Sequence, residues 1–330
     1  GTKRLFLDRY IYSVFFFSLG GRHWVENEGW VNASLPYCEW YGIVCDPLVA
    51  GRVNNMEMGF NNMSGTVPPE LAKIQFLRNL RTGSNPNVTG TFPPAILDIP
   101  KLRDFSIAYN NFEQPLADLV PTRPERSVLG RFLIQGNRFT GTIPSEFGQI
   151  ARLSYLELLN NRLTGTIPAE LGRMSNLERL AISGNKLRGT LPTGLFNLRF
   201  LERVFVQDNR LSGPLPTTLE NAWRLNSFSV YQNNFTGVNR GRQFCEAPDS
   251  VLDNIVIDCD DFENTDVNGF CGDGSDQLLR DCICVCSELQ PQAGASEEGA
   301  AKKGAKTRQL AAETRNRRKV RGVRRAREKV

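Results

Sequence analysis

Five copies of one phrase divide the middle of the chain into equal lengths: Asn137-Arg-Phe-Thr-Gly141, Asn161-Arg-Leu-Thr-Gly165, Asn185-Lys-Leu-Arg-Gly189, Asn209-Arg-Leu-Ser-Gly213 and Asn233-Asn-Phe-Thr-Gly237. Each closing glycine follows the previous one by 24 residues. In the first four copies an Ile or Leu and then a Pro come next: Ile143-Pro144, Ile167-Pro168, Leu191-Pro192 and Leu215-Pro216. A fixed period of this length is the signature of a stacked-repeat solenoid, where each unit buries its apolar face against its neighbours.

The apolar residues keep the same period. Three, five and eight residues before successive asparagines stand Ile134, Phe132 and Leu129, then Leu158, Leu156 and Leu153, then Ile182, Leu180 and Leu177. The alternation of the first two positions predicts a short strand with one buried face. On the far side of each phrase apolar residues step by three, as in Leu171, Met174 and Leu177, which suits short 3₁₀-like turns across the coil from the strand.

These residues resemble the leucine-rich repeat family in its plant-type extracellular form, whose mark is a 24-residue unit carrying L-x-G-x-I-P. Working backwards, the pattern extends through Asn110, Asn85 and Asn61, giving about eight repeats over residues 51–240. The resemblance implies an α/β solenoid: a right-handed superhelix with a parallel β-sheet on its concave side and disulfide-stapled caps at both ends. The third repeat is irregular, because Gln114 stands where the glycine belongs and Pro121 to Arg126 reads as an inserted surface loop.

Residues 1–50 read as the amino-terminal cap. Leu5, Leu7, Tyr10, Ile11, Val14, Phe15 and Phe17 are dense enough for a buried helix, which Gly20-Gly21 stops. The motif Cys38-Glu-Trp40-Tyr-Gly42-Ile-Val-Cys45 resembles the family's cap, in which the two cysteines close a small loop. Residues 241–287 hold the other six cysteines, Cys245, Cys259, Cys271, Cys282, Cys284 and Cys286, and read as a carboxy-terminal cap whose pairing stays open among 15 connectivities. No cysteine lies within the repeats. An even count confined to the ends points to an oxidising compartment. The sequons at Asn32, Asn62, Asn87 and Asn234 agree with passage through the secretory route. The expected location is therefore secreted or at the cell surface. Ile11 to Leu19 is apolar behind Lys3, Arg4 and Arg9, yet reads better as cap than as a signal core.

Charge is uneven. Residues 301–330 hold 13 Lys and Arg against two Glu, a formal +11 beside −6 for everything before them. Residues 288–330 have too little apolar content to bury a core and are expected to be a disordered basic tail, suited to an anionic polysaccharide or lipid surface. No aromatic residue interleaves the charges after position 288, which argues against nucleic acid.

Catalysis is not expected. His23 is the only histidine, and no G-x-S-x-G, phosphate-cradling or H-E-x-x-H motif occurs. No cofactor or metal is expected; the acidic stretch Asp266 to Asp276 resembles calcium loops only in part. The ladder asparagines read as structural, each amide serving backbone groups of adjacent coils. Binding is the better expectation. Residues six, four, two and one before each ladder asparagine point out of the sheet and align in columns. Arg131, Leu133, Tyr155, Glu157, Leu159, Arg179, Arg203, Phe205 and Tyr231 then share one face, rich in the Arg and aromatic side chains that anchor interfaces. The implied function is recognition of a protein, peptide or glycan on that face, as in a receptor ectodomain. Alternatives within the same resemblance are an inhibitor of extracellular wall-degrading enzymes and a wall or matrix protein held by its basic tail.

Overall fold

A computed structural model describes residues 2–230, 232–236 and 254–256. Ten short strands form one sheet in which neighbours in space are successive coils: Ile43–Cys45, Val53–Glu57, Asn79–Arg81, Asp104–Ser106, Arg131–Leu133, Tyr155–Glu157, Arg179–Ala181, Arg203–Phe205, Ser227–Ser229 and Asn254–Val256. All pairings are parallel except the first, where Ile43–Cys45 runs antiparallel to Val53–Glu57 and so covers the opening edge. The parallel strands are in register, coil upon coil: Arg131 pairs with Tyr155, Tyr155 with Arg179, Arg179 with Arg203 and Arg203 with Ser227. Opposite the sheet each regular repeat makes a 3₁₀ turn, including Pro69–Lys73, Ser145–Gln149, Ala169–Arg173 and Thr193–Asn197. The step of three in the sequence thus becomes the turn it predicts.

The asparagine ladder holds the coils together. Asn161 donates from Nδ2 to Ile134 O of the preceding coil at 3.2 Å and to Leu158 O of its own coil at 3.0 Å. Its Oδ1 accepts from Phe139 N at 3.0 Å. Asn137, Asn185, Asn209 and Asn233 repeat this pattern. The glycine of the phrase is explained by the next coil. Gly165 has φ 79°, and a Cβ there would lie 2.7 Å from the Thr142 γ-methyl. The Gly-Thr pair is one packing unit: threonine of one coil sits on glycine of the next.

The irregular third repeat is repaired by side chains. Gln114 is buried, accepts from Phe92 N and donates to Phe92 O, doing for the backbone what a regular turn would do. A second, lateral set of strands breaks here into a three-stranded and a four-stranded sheet, joined only by single bridges at Pro115–Thr140 and Thr142–Thr164. Buried rings fill the widened core: Phe105 lies 5.0 Å from Phe92 and 5.3 Å from Phe132. The inserted loop at Pro121 to Arg126 lies at the surface, as expected, and is anchored there. Thr122 N donates to Asp98 Oδ1 at 2.7 Å, Pro121 and Pro124 are buried, and Pro124–Arg126 forms a 3₁₀ turn. Proline rings satisfy the core without asking for backbone hydrogen bonds.

The cap helix α1 spans Thr2–Ser18, but its buried face differs from the expected one. Ile11, Tyr12, Phe15, Phe16 and Leu19 face inward, whereas Leu5, Leu7, Tyr10 and Phe17 are exposed. The inward stripe wins because it meets rings: Phe15 stacks on Trp30 at 6.2 Å, Phe16 on Trp30 at 5.7 Å, and Tyr12 lies 5.2 Å from Tyr37. Cys38 and Cys45 are joined by a disulfide, as the resemblance implied. The other six cysteines and the tail lie outside the described residues. No helix among the described residues is long and apolar enough to cross a membrane.

Two predictions concern stability. Replacing Asn161 by Ala orphans the buried Phe139 N, at a cost of about 1–3 kcal/mol, and takes one of two side-chain donors from Ile134 O and from Leu158 O, which keep Asn137 and Asn185. Urea denaturation should show a loss of at least about 2 kcal/mol, whereas Asn197→Ala at the exposed turn should stay within about 0.5 kcal/mol of the parent. Asp8 is 6% exposed on the inner side of α1, and its burial raises the carboxyl above the ordinary 3.8 despite Arg4 at 3.7 Å. A raised folded pKa means the native state binds the proton more tightly, so Asp8 costs stability above that pKa and nothing below the unfolded value. Asp8→Asn should therefore raise the melting temperature at pH 7, and the gap should close as pH falls toward 3.8. A gap that widens on acidification would reverse the assignment.

Candidate ligand-binding face

The strand register turns two sequence intervals into physical columns. The first runs Asn55, Asn79, Asp104, Arg131, Tyr155, Arg179, Arg203, Ser227; the second runs Glu57, Arg81, Ser106, Leu133, Glu157, Ala181, Phe205, Ser229. Strand neighbours are about 4.8 Å apart, so residues 24 apart in sequence touch. Arg131, Leu133, Tyr155, Glu157, Arg179, Arg203 and Phe205 are thus together, as expected, with half-buried Leu159 on the same coil as Tyr155. Tyr231 lies outside the described residues. Ala181 and Ser183, which share the outward intervals, are buried beneath their neighbours.

The face has two electrostatic halves. Across the first coils the charges neutralise one another in a chain. Arg81 lies 3.8 Å from Glu57 and bonds Asp104 directly, and Asp104 lies 3.9 Å from Arg131. Asp104 is 6% exposed, and its bond to Arg81 raises the guanidinium pKa further. This half has little charge left for a partner. The sequence intervals placed these residues on the face without revealing their pairing.

Further along, the arginines lie on rings. The Arg131 guanidinium sits 4.6 Å from the Tyr155 ring centre and that of Arg179 sits 4.9 Å from Phe205. Arg179 Nε is also 2.8 Å from Glu157 Oε1, though out of line for a hydrogen bond. Such stacks hold long flexible side chains in one place and leave guanidinium edges for carboxylates. Arg203 is exposed, and its side chain has no hydrogen bond, ion pair or ring contact among the described residues. Gln135 and Gln207 share the third column, and each has a buried Oε1 without a partner. Burial raises the Asp208 carboxyl, which lies beside Gln207 in sequence.

The four sequons are elsewhere. Asn62, Asn87 and Asn234 are exposed on or beside the lateral strands, and Asn32 is exposed in the cap. Sugar at any of them would leave the concave columns open.

Comparison with known proteins follows the same lines. The Leucine Rich Repeat family model matches residues 152–174 and 176–198. Phytosulfokine receptor 1 of Arabidopsis thaliana is 35% identical over 60 residues, 18% of this chain and 6% of the receptor. Among solved structures, the ectodomain of the Arabidopsis receptor kinase HAESA superposes with a TM-score of 0.64 at 24% identity, over 77% of this chain and 45% of that one. The PEPR1–AtPEP1 structure gives 0.61 at 25% identity, over 74% of this chain and 38% of that one. The chain therefore spans less than half the length of these relatives. The matched residues are leucine-rich repeats, and the fold is that of a leucine-rich repeat solenoid.

Asp104 is the member of the ion-pair chain that both arginines share. Asp104→Asn keeps its shape and removes its charge, and should cost about 1–2 kcal/mol at low ionic strength. The deficit should shrink in 1 M salt, where the Debye length is about 3 Å. A salt-independent deficit would mean that packing, and not the charge chain, orders this half of the face.

Proposed function

We propose that the chain is a recognition module of the extracellular space, and that it takes an extended, carboxylate-bearing peptide or protein segment along the concave strands from Arg131 to Phe205. One observation carries the reading: three arginines and two aromatic rings from consecutive coils, Arg131 to Phe205, converge on a single sequon-free face, two of the arginines held on those rings. Arg203 supplies a cation with no internal partner among the described residues. Leu133 and Leu159 supply apolar contact between the charged groups. Gln135 and Gln207 are three coils apart, about 14 Å, the length of about four residues of extended chain. An extended backbone of that length spans both side chains.

The relatives support a ligand-binding role. PEPR1 was solved with AtPEP1, and phytosulfokine receptor 1 carries its ligand in its name. Binding by the central coils also accounts for the division of the face, since the neutralised first coils form a stiff shoulder beside it. Among the described residues nothing favours the enzyme-inhibitor role, and the matrix role rests on the tail, which lies outside them.

The test uses selected ligands. Extended acidic peptides chosen from a displayed library on the unmodified protein should compete with one another for one site. Reversing Arg179 or Arg203 to Glu should weaken them by at least about 30-fold, the size of an interface hot spot. Reversing Arg138, on the lateral flank, should change affinity by less than about threefold. Equal losses from all three reversals would indicate general charge attraction and end the case for a concave site.

A further inference from the structure

The residue before each ladder asparagine is forced into a left-handed backbone. Phe60, Ser84, Tyr109, Gly136, Asn160, Gly184, Asp208 and Gln232 all have positive φ, from 53° to 67°. Glycine and asparagine accept this conformation readily; a bulky aromatic is the poorest choice. Two aromatics nonetheless occur. Tyr109 has an internal explanation, because its ring lies on Gly136, where a Cβ would stand 2.5 Å from the ring edge. Phe60 has none. Its side chain is 82% exposed, and it makes no ring or cation contact among the described residues.

Two residues beyond Phe60 is Asn62, the first residue of the sequon Asn62-Met63-Ser64. Asn61 between them is buried, while Phe60 and Asn62 both stand out from the same tight turn. The turn is clamped to the cap. Asn61 Oδ1 accepts from Glu26 N at 2.7 Å, Asn61 Nδ2 donates to Glu26 O at 2.9 Å, Asn61 O accepts from Val25 N at 3.2 Å, and Asn62 Nδ2 donates to His23 O at 3.1 Å. The direction in which Asn62 projects is therefore set before anything is attached to it.

We propose that Asn62 carries an N-linked glycan and that the Phe60 ring is the platform on which its first sugar rests. This rests on the extracellular reading above, since attachment needs the secretory route. In the transfer, Asn62 Nδ2 bonds to C1 of the reducing-end N-acetylglucosamine of a lipid-diphosphate-linked oligosaccharide. The C1–oxygen bond to the diphosphate breaks, the amide gives up one proton, and the lipid diphosphate leaves. One N–H remains on Nδ2, enough to keep the bond to His23 O and pin the linkage. The sugar's axial C–H groups then meet the electron-rich face of Phe60, a weak contact that gains from needing no further ordering. The other sequons lack such a partner. Two residues before Asn32 is Trp30, which is buried with its Nε1 bonded to Tyr41 O. Two before Asn87 is the ladder residue Asn85, and two before Asn234 is Gln232.

The experiment secretes the full chain from plant or insect cells, maps its glycopeptides by mass spectrometry, and compares melting temperatures across a cycle of Phe60→Ala and Asn62→Gln. Asn62 should be occupied. Phe60→Ala should lower the melting temperature of the glycosylated protein by about 2–4 °C, as expected of a surface contact in a domain this size. In the Asn62→Gln background it should lower it by nothing. Phe60→Gly should raise the midpoint without glycan, by relieving the left-handed backbone, and lower it with glycan. An unoccupied Asn62 beside occupied Asn87 or Asn234 overturns this proposal alone. Four empty sequons on the secreted chain overturn it together with the extracellular reading. Equal effects of Phe60→Ala in both backgrounds, or none in either, overturn the platform.

Discussion

Everything in this protein depends on one amide repeated once per coil. A coil of about 24 residues cannot satisfy its own backbone, because the turn that leads out of each strand buries groups with no partner in the same coil. The ladder asparagine closes that gap from both sides, donating backwards and accepting from the adjoining turn, as Asn185 does with Leu158 O and Leu163 N. Because the partners are backbone atoms, the bonds fix the axial register of neighbouring coils whatever the other side chains are. Aspartate could accept but not donate, and threonine is too short to reach both sides. The residue type follows from the geometry.

Register is what converts a sequence into a surface. A shift of one residue in any coil would turn its outward side chains toward the core, so the columns are as firm as the core itself. This explains how Arg179 comes to lie between Glu157 on one side and Phe205 on the other, from three different coils. It also explains the tolerance of the third repeat. Its extra length is taken up on the flank away from the strands, where Gln114 and two buried prolines fill the space, while Asp104–Ser106 keeps its place in the sheet.

The columns of the face were legible in the sequence because they follow from counting. The 3₁₀ turns and the cap helix were legible for the same reason. Three things were not. The inward face of α1 depends on which of two apolar stripes meets Trp24, Trp30 and Tyr37, and both stripes look alike in one dimension. The neutral chain Glu57, Arg81, Asp104, Arg131 needs rotamers, since column membership does not say which arginine reaches which acid. The left-handed residue before each asparagine did leave a trace, in Gly136, Gly184 and Asn160, but Phe60 and Tyr109 masked it. Those exceptions to a local rule are where the chain gives up backbone comfort for a side chain it presents.

The concave face exists only if the coils pile up linearly. Spin labels at Asn111 paired in turn with Lys186, Arg210 and Asn234 would measure the piling, because each of these follows its coil's ladder asparagine, three, four and five coils from Asn111. At about 4.8 Å per coil the three distances should rise by near-equal steps, from about 14 to about 19 to about 24 Å before label length is added. Distances that fail to grow with coil number, or that cluster at one value, would contradict the stacked register on which the face depends.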